Sequence, residues 1–446
     1  MKTPIIDFIK KYADRKALRL HMPGHKGSGI LGVEQLDLTE IEGADVLYHA
    51  QGIIRQSEEN AASLFGTAKT LYSTEGSSLS IRAMLYLATL YAKAEGKRPR
   101  ILAMRNAHKT FMTAAALLQF EVQWLFSETS NTVISCDISA EYLEQVLSSG
   151  ESVTAVYLTS PDYLGNISDI AEISRVCRKF GTLLLVDNAH GAYLHFSGKH
   201  PIDLGADLCC DSAHKTLPVL TGGAYLHIAK SAPKLLLDQA ELAMSLFAST
   251  SPSYLILQSL DAANRYLADG YCTQLADFSA ALGQLKERLR FHGWTLCGDE
   301  ALKLTLATKS YGYTGDEIAN ILQTQDIVCE FSDPDFVVMM LTPEISPQEL
   351  IRLEQALLSI ERRQPITQQP PTVPKPSRCM SMHEALFSPS CELALKDCIG
   401  KILAAPSITC PPAIPILVCG ERIDAQAAAC MEYYGISACR VVNEST

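Results

Sequence analysis

Lys215 stands in the run DSAHKTLPVLTGGAYLH, residues 211 to 227, behind Ser212 and His214 and ahead of Gly222 and Gly223. A lysine at the end of an apolar run, among small hydroxyl and imidazole groups, has the setting of a Schiff-base lysine that holds a phosphorylated aldehyde. Its free pKa is about 10.4, so it becomes a nucleophile near neutral pH only where burial or a neighbouring cation lowers that value. A solvated surface lysine is the plain alternative, and the motif alone does not decide between the two.

Three further clusters supply what such a lysine needs. Ser73-Thr74-Glu75-Gly76-Ser77-Ser78 precedes a helical pattern carried by Leu79, Ala83, Met84, Leu87 and Leu90. Gly76, Ser77 and Ser78 at a helix amino terminus offer free N–H groups and a positive dipole end to a phosphate, or, more plainly, a serine cap. Asp187 closes TLLLVD and is followed by Asn188, Ala189 and His190. A carboxylate there can keep a pyridine nitrogen protonated, or simply cap the next turn. His108, in RNAHKT after RILAM, could stack on a flat ring or be a structural histidine. The pieces gain force jointly, because phosphate cradle, stacking ring, ring-nitrogen carboxylate and lysine occur in that order along one pattern of strands and helices.

The elements that must position them read as an α/β fold. RILAM (100 to 104), VTAVYLT (153 to 159), TLLLVD (182 to 187), ADLCCD (206 to 211) and AYLHIA (224 to 229) are strand-like apolar runs. Ile170, Ile173, Val176, Cys177 and Phe180 recur at helical spacing between two of them. A doubly wound, mostly parallel sheet follows, and in such sheets ligands lie beyond the carboxyl ends of the strands, where His108, Asp162, Asp187 and Lys215 fall. Helical sequence over about 254 to 290 leads to GYTGDEIANILQTQ, IVCEFSD, FVVMML and SPQELIRLEQALLSIERR, expected as helix, strand, strand and helix. QPITQQPPTVPKPS makes a linker. The expected division is an arm over 1–55, a large cofactor-binding domain over 56–265, a small α+β domain over 266–363, a proline-rich linker over 364–376 and a carboxyl-terminal domain over 377–446.

The 446 residues exceed one compact core, and 38 basic against 49 acidic residues give a net charge of -11. That balance argues against a nucleic-acid or anionic-membrane surface. Fourteen cysteines are scattered singly apart from Cys209-Cys210, with no metal-ligand spacing, so no metal is expected. The amino terminus MKTPIIDFIKKYADRK carries no apolar signal core and no run is long enough to span a membrane, so the expected setting is a reducing cytoplasm.

At this point the chain resembles the prokaryotic ornithine/lysine/arginine decarboxylases, fold-type-I enzymes dependent on pyridoxal phosphate. The resemblance is carried by LRLHMPGHKG (18 to 27), LDLTEIEGADVLYHAQGII (36 to 54), RNAHKT, DNAHGAY (187 to 193), SAHKTLPVLTGG, STSPSYLILQSLDAA (249 to 263) and CPPAIPILVCGERI (410 to 423). It covers nearly the whole chain in order, in a shorter form without the family's amino-terminal wing. It implies that Lys215 carries the cofactor, that Asp187 pairs with the pyridine nitrogen and that His108 stacks on the ring. It further implies that Ala189 packs on the opposite face, that His190 belongs to the cofactor-binding set, and that Gly76, Ser77, Ser78, Ser212 and His214 hold the phosphate. The STSPSY segment would approach a partner's active site, which implies at least a homodimer.

Some positions depart from the family pattern. Glu75 stands where asparagine is usual and Asp162 where threonine is common, placing two anions near a phosphate and a phenolic oxygen unless they point away. Gly222-Gly223 replaces a more polar pair, and Ala413 and Cys419 replace a glycine and a proline. The expected reaction is α-decarboxylation of arginine, lysine or ornithine to the amine in polyamine metabolism, with Lys215 or His214 as proton donor. Glu421 is a candidate for binding the distal cation of the substrate, its plain reading being a solvated glutamate. An aminotransferase or lyase would need an arginine clamp such as Arg288, Arg290 or Arg352. A non-catalytic paralogue is the reading motivated by Glu75 and Asp162.

Overall fold

Four strand ends set the architecture around Lys215. The computed structural model describes residues 1–126, 137–372, 374–410 and 414–443; Ala413 lies outside them. By contacts the chain divides into two compact units, one of residues 1–97, 154–156 and 170–275, the other of 98–153, 157–169 and 276–446. This division follows contacts in space, whereas the five segments read from the sequence follow chain order.

Seven strands carry the large sheet: β1 (Lys69–Ser73), β2 (Arg100–Met104), β3 (Glu121–Leu125), β4 (Ala155–Thr159), β5 (Leu183–Asp187), β6 (Leu208–Asp211) and β7 (Ala224–Ile228). In the first unit β5 and β6 run parallel, with Asp187 opposite Cys210. β7 returns antiparallel to β6 with Tyr225 opposite Asp211, and β1 pairs antiparallel to β7 with Ser73 opposite Ala224. The register therefore brings Ser73, Asp187, Asp211 and Ala224 to one edge, and the turns that follow or precede them hold the candidate residues. β5 is LLLVD with every residue buried, as a strand covered on both faces requires.

Of the predicted stripes, the helix Ser77–Ala94 buries Leu79, Ala83, Met84 and Leu87 with Leu90 half-buried, and Ile170–Lys179 buries Ile170, Ile173, Val176 and Cys177, while half-buried Phe180 lies just past its end. The helical stretch near 254 to 290 is two helices, Tyr254–Ala268 and Tyr271–His292. Gly270, with φ +80°, makes the break.

In the second unit β2 and β3 are parallel. A four-stranded sheet orders β10 (Phe331–Ser332), β11 (Phe336–Met340), β9 (Lys303–Ala307) and β8 (Thr295–Cys297). Of the strand expected over IVCEFSD only β10 forms, and it ends where Asp333 Oδ1 accepts the N–H groups of Asp335 and Phe336 and turns the chain. The helices Gly315–Gln323 and Pro347–Leu358 each start on a capping box, Thr314 with Glu317 and Ser346 with Glu349. The tail residues Cys398, Leu403, Leu417, Ile423, Cys430, Met431 and Val441 share one core cluster with Leu164, Phe331 and Val338. No helix among the described residues is long and apolar enough to cross a membrane.

Candidate active site

Gly76 begins the site in the first unit. It is the N-cap of the helix Ser77–Ala94, has φ +70° and is followed by a first turn without a side-chain cap. Its N–H donates to Gly222 O at 2.7 Å, and Ser73 Oγ, donating to Gly76 O at 2.9 Å, closes the turn from below. A Cβ added at Gly76 would meet only His214 Cε1 at 3.9 Å and Ser78 N at 4.0 Å. The space over this helix end is thus bounded by an imidazole and a backbone amide. Ser212 Oγ donates to Ser77 Oγ at 2.8 Å, so two hydroxyls join the same rim. First-turn helix amides without a side-chain cap and two hydroxyls form a donor set that fits a phosphate, with the His214 ring beside it.

Gly222 and Gly223 brace this cradle. Gly222 has φ +100°, and a Cβ there would lie 2.8 Å from Thr74 O. Gly223 O accepts from His214 N at 3.1 Å and from His214 Nδ1 at 3.0 Å. Because a carbonyl only accepts, the His214 proton sits on Nδ1 and Nε2 carries the lone pair in the neutral ring. Burial and then the Lys215 charge lower the His214 pKa, which favours that neutral form.

Lys215 lies on the short helix Ala213–Thr216 that β6 feeds, and its Nζ is 3.1 Å from His190 Nε2. His190 is thus a direct neighbour of the lysine amine. Asp187 is 2% exposed at the end of β5; its Oδ1 accepts from Ala189 N at 3.3 Å and from Cys210 Sγ at 3.5 Å. Burial and then Asp187 raise the Cys210 thiol far above its ordinary range, so it remains a donor. Gly76, Ser77, Ser78, Asp187, Ala189, His190, Ser212, His214 and Lys215 all belong to turns on the edge set by the strand register.

Sequence reasoning passed over Asp211. This fully buried carboxylate accepts Asn188 Nδ2 at 2.7 Å on Oδ1, and His200 Nε2 at 3.0 Å and His227 Nε2 at 3.2 Å on Oδ2. Ile202 N donates to His200 Nδ1, so the His200 proton is on Nε2. Burial opposes the charge, but the two imidazoles hold the Asp211 pKa well below the carboxylate range. His200, Cys209 and Asp211 also have the donor types of a metal group. The hydrogen-bond directions instead turn N–H groups toward Asp211, leaving no imidazole lone pair there for a cation. Asp211 ties the Asn188 turn to the strand end from which Ser212 and Lys215 depart. Its signal in the sequence was a charge and a histidine, Asp211 and His227, within otherwise apolar strands.

His108 belongs to the second unit and is described with it. It is the N-cap of the helix Lys109–Leu118, and its Nδ1 accepts from Thr110 N at 3.3 Å. Its proton is therefore on Nε2. Both amide atoms of the neighbouring Asn106 are buried without a hydrogen-bond partner among the described residues.

The departures from the family pattern are accommodated locally. Glu75 Oε1 accepts Ser249 N at 2.7 Å, and Asp162 takes Asn166 N on Oδ1 and Asn166 Nδ2 on Oδ2, both at 2.8 Å. Cys419 N donates to Pro406 O at 3.2 Å, a bond that proline could not make. The solvated reading of Glu421 is corrected: it is 3% exposed and forms a two-pronged ion pair with Arg105, both bonds 2.7 Å. Its carboxylate is consumed by that pair. Arg288 and Arg290 form exposed pairs with Glu354 and Glu287, and Arg352 donates to Gln325 O.

Residues 3–289 match the family model of the Orn/Lys/Arg decarboxylase major domain. The chain belongs to the Orn/Lys/Arg decarboxylase family. An arginine decarboxylase of Bacillus subtilis is 31% identical over 457 residues, covering 95% of this chain and 91% of the relative. One of Halalkalibacterium halodurans is 28% identical, with the same coverage. The fold matches that of the constitutive lysine decarboxylase of E. coli, with TM-score 0.76 and 17% identity over 99% of this chain and 82% of that one. The chain is accordingly an α/β enzyme of the amino acid decarboxylase class, with the fold-type-I architecture.

Proposed function

We propose that the enzyme uses pyridoxal phosphate to remove the α-carboxylate of a basic amino acid, arginine, lysine or ornithine, giving the amine and carbon dioxide. The observation that carries this reading is the convergence on one sheet edge of an open helix amino terminus, the Ser77–Ser212 hydroxyls, His214, the Lys215–His190 pair and buried Asp187. When bound, pyridoxal phosphate supplies an electron sink for the charge left at Cα. In this reading Lys215 is the covalent anchor, and His190 Nε2, 3.1 Å from its amine, orients it. Gly76, Ser77, Ser78, Ser212 and His214 hold the phosphate. Asp187 keeps a proton on the ring nitrogen, Ala189 packs on one ring face and the His108 ring on the other. Lys215 is the candidate donor of the proton that returns to Cα; His214, its Nδ1 proton held by Gly223 O, would have to be protonated at Nε2 first.

The basic substrate rests on the family and on relatives named arginine decarboxylase. A cytoplasmic role in polyamine formation and a homodimer that brings the STSPSY segment to a partner's site complete the proposal, together with the five-part division of the chain. Carbon dioxide release from carboxyl-labelled arginine, lysine and ornithine tests it, with Lys215→Ala as control. Release from one of the three, abolished in the variant, is the expected result. Formation of a keto acid without carbon dioxide would make the enzyme an aminotransferase, and absence of any turnover or cofactor uptake would favour the non-catalytic reading.

A further inference from the structure

We propose that the Arg105–Glu421 pair is a positioning device, through which the tail fixes the turn that carries His108. This rests on the role proposed for His108 above. Arg105 directly follows β2, three residues before His108, and the intervening Asn106 and Ala107 are buried. Its guanidinium makes both 2.7 Å bonds to Glu421 and a third, 3.3 Å, to Ile416 O in β14 (Ile414–Val418). Glu421 Oε2 also accepts Val418 N at 2.9 Å. The other side of the guanidinium lies over Trp124 at 5.1 Å and Phe126 at 5.9 Å.

The side chains of the pair are 6% and 4% exposed, so neither charge has water as an alternative partner. A planar fork bound at both prongs fixes orientation as well as distance, which a single-point contact does not. The backbone of Arg105 is held in turn by its N–H bond to Leu125 O, and Ala107 N donates back to Met104 O. The path from Glu421 to His108 is therefore a short, doubly anchored turn. A second tail contact grips the helix that His108 caps: His383 Nδ1 donates to Ala116 O at 3.0 Å.

From the sequence Glu421 is either a solvated glutamate or a candidate for the substrate's distal cation; the geometry gives it to Arg105. Apolar residues of similar volume often replace a buried ion pair without loss of stability, whereas they cannot reproduce its directional hold. That property separates positioning from stability here.

The test uses the full chain reconstituted with pyridoxal phosphate. Cofactor dissociation constant, visible circular dichroism and decarboxylation are compared for wild type, Glu421→Gln, His108→Ala, their combination, and Arg105→Met with Glu421→Leu. Glu421→Gln is expected to raise the dissociation constant on the order of tenfold, the low end of what removing an orienting outer partner costs at metal sites. In the His108→Ala background it should add nothing, because the group it positions is gone. The apolar pair should keep the wild-type melting temperature yet show the weakened binding and an altered visible band. Wild-type binding and spectrum in the apolar pair, or losses from Glu421→Gln and His108→Ala that simply add, would overturn the inference while leaving the decarboxylase reading intact. Failure of the wild type itself to take up cofactor would overturn both.

Discussion

Glu58 lies on the helix Ile53–Leu64 with its carboxyl buried against β1, where Oε1 accepts Tyr72 N at 2.9 Å. Burial pushes its pKa from 4.5 up to about 8, with the Tyr72 bond and Arg55 pulling only partly the other way. The native carboxyl therefore keeps its proton at pH values where the unfolded one has lost it. Because the folded pKa is raised, the stability it contributes is full below about pH 4.5 and is lost as pH rises through about 8. Each pH unit in that window is worth about 1.4 kcal/mol, so from about pH 5.5 to about 7.5 the loss is about 2.5 kcal/mol, allowing for the onset of native ionisation. Glu58→Gln keeps the acceptor for Tyr72 N and removes the titration. Denaturant unfolding of both proteins at the two pH values, followed by an optical signal from the first unit, should show a pH-dependent decrease about 2.5 kcal/mol larger in wild type. Equal pH dependence in the two proteins would refute the argument, since Glu58 would then titrate alike in native and unfolded chains.

Three further outcomes follow from the site. Gly222→Ala places a Cβ 2.8 Å from Thr74 O at a φ of +100°, and thermal unfolding should register a cost of about 1–3 kcal/mol alongside weakened pyridoxal phosphate uptake. Asp211→Asn removes the anion that receives both imidazole N–H groups and should cost about 3 kcal/mol near neutral pH. Since the native Asp211 pKa is depressed, wild type should also lose this increment as pH falls below about 4, and the variant's acid unfolding curve should be shallower there. Glu75→Gln keeps the acceptor for Ser249 N, so decarboxylation kinetics should stay within about twofold of wild type, whereas a rise in cofactor affinity of tenfold or more would mean that the carboxylate repels the phosphate.

Much of this site is legible in the sequence, for physical reasons specific to each residue. β5 and β7 are uniformly buried, so TLLLVD and AYLHIA announce themselves by composition, and Asp187 is marked by ending an apolar run. Gly76 and Lys215 stand out because a left-handed glycine before a helix and a lysine after a strand are local features. β1, KTLYS, escaped notice because five residues of mixed polarity lack a period, although it supplies the strand that ends at Ser73. Its placement comes from pairing with β7, a contact between distant segments. Asp211 was hidden for the same reason: its partners Asn188, His200 and His227 come from three different segments. Arg105 and Glu421 are 316 residues apart, and no local pattern relates them. Local chemistry drew attention to the Gly76 turn and to Lys215, and tertiary pairing decided which neighbouring charges already have partners.

The central claim is that Lys215 is the covalent anchor of an aldehyde cofactor. Borohydride reduction of the enzyme incubated with pyridoxal phosphate, followed by peptide mass analysis, tests it most directly. A phosphopyridoxyl group confined to the peptide containing Lys215, absent in Lys215→Ala, is the predicted result. Labelling at other lysines with Lys215 left unmodified would contradict the account.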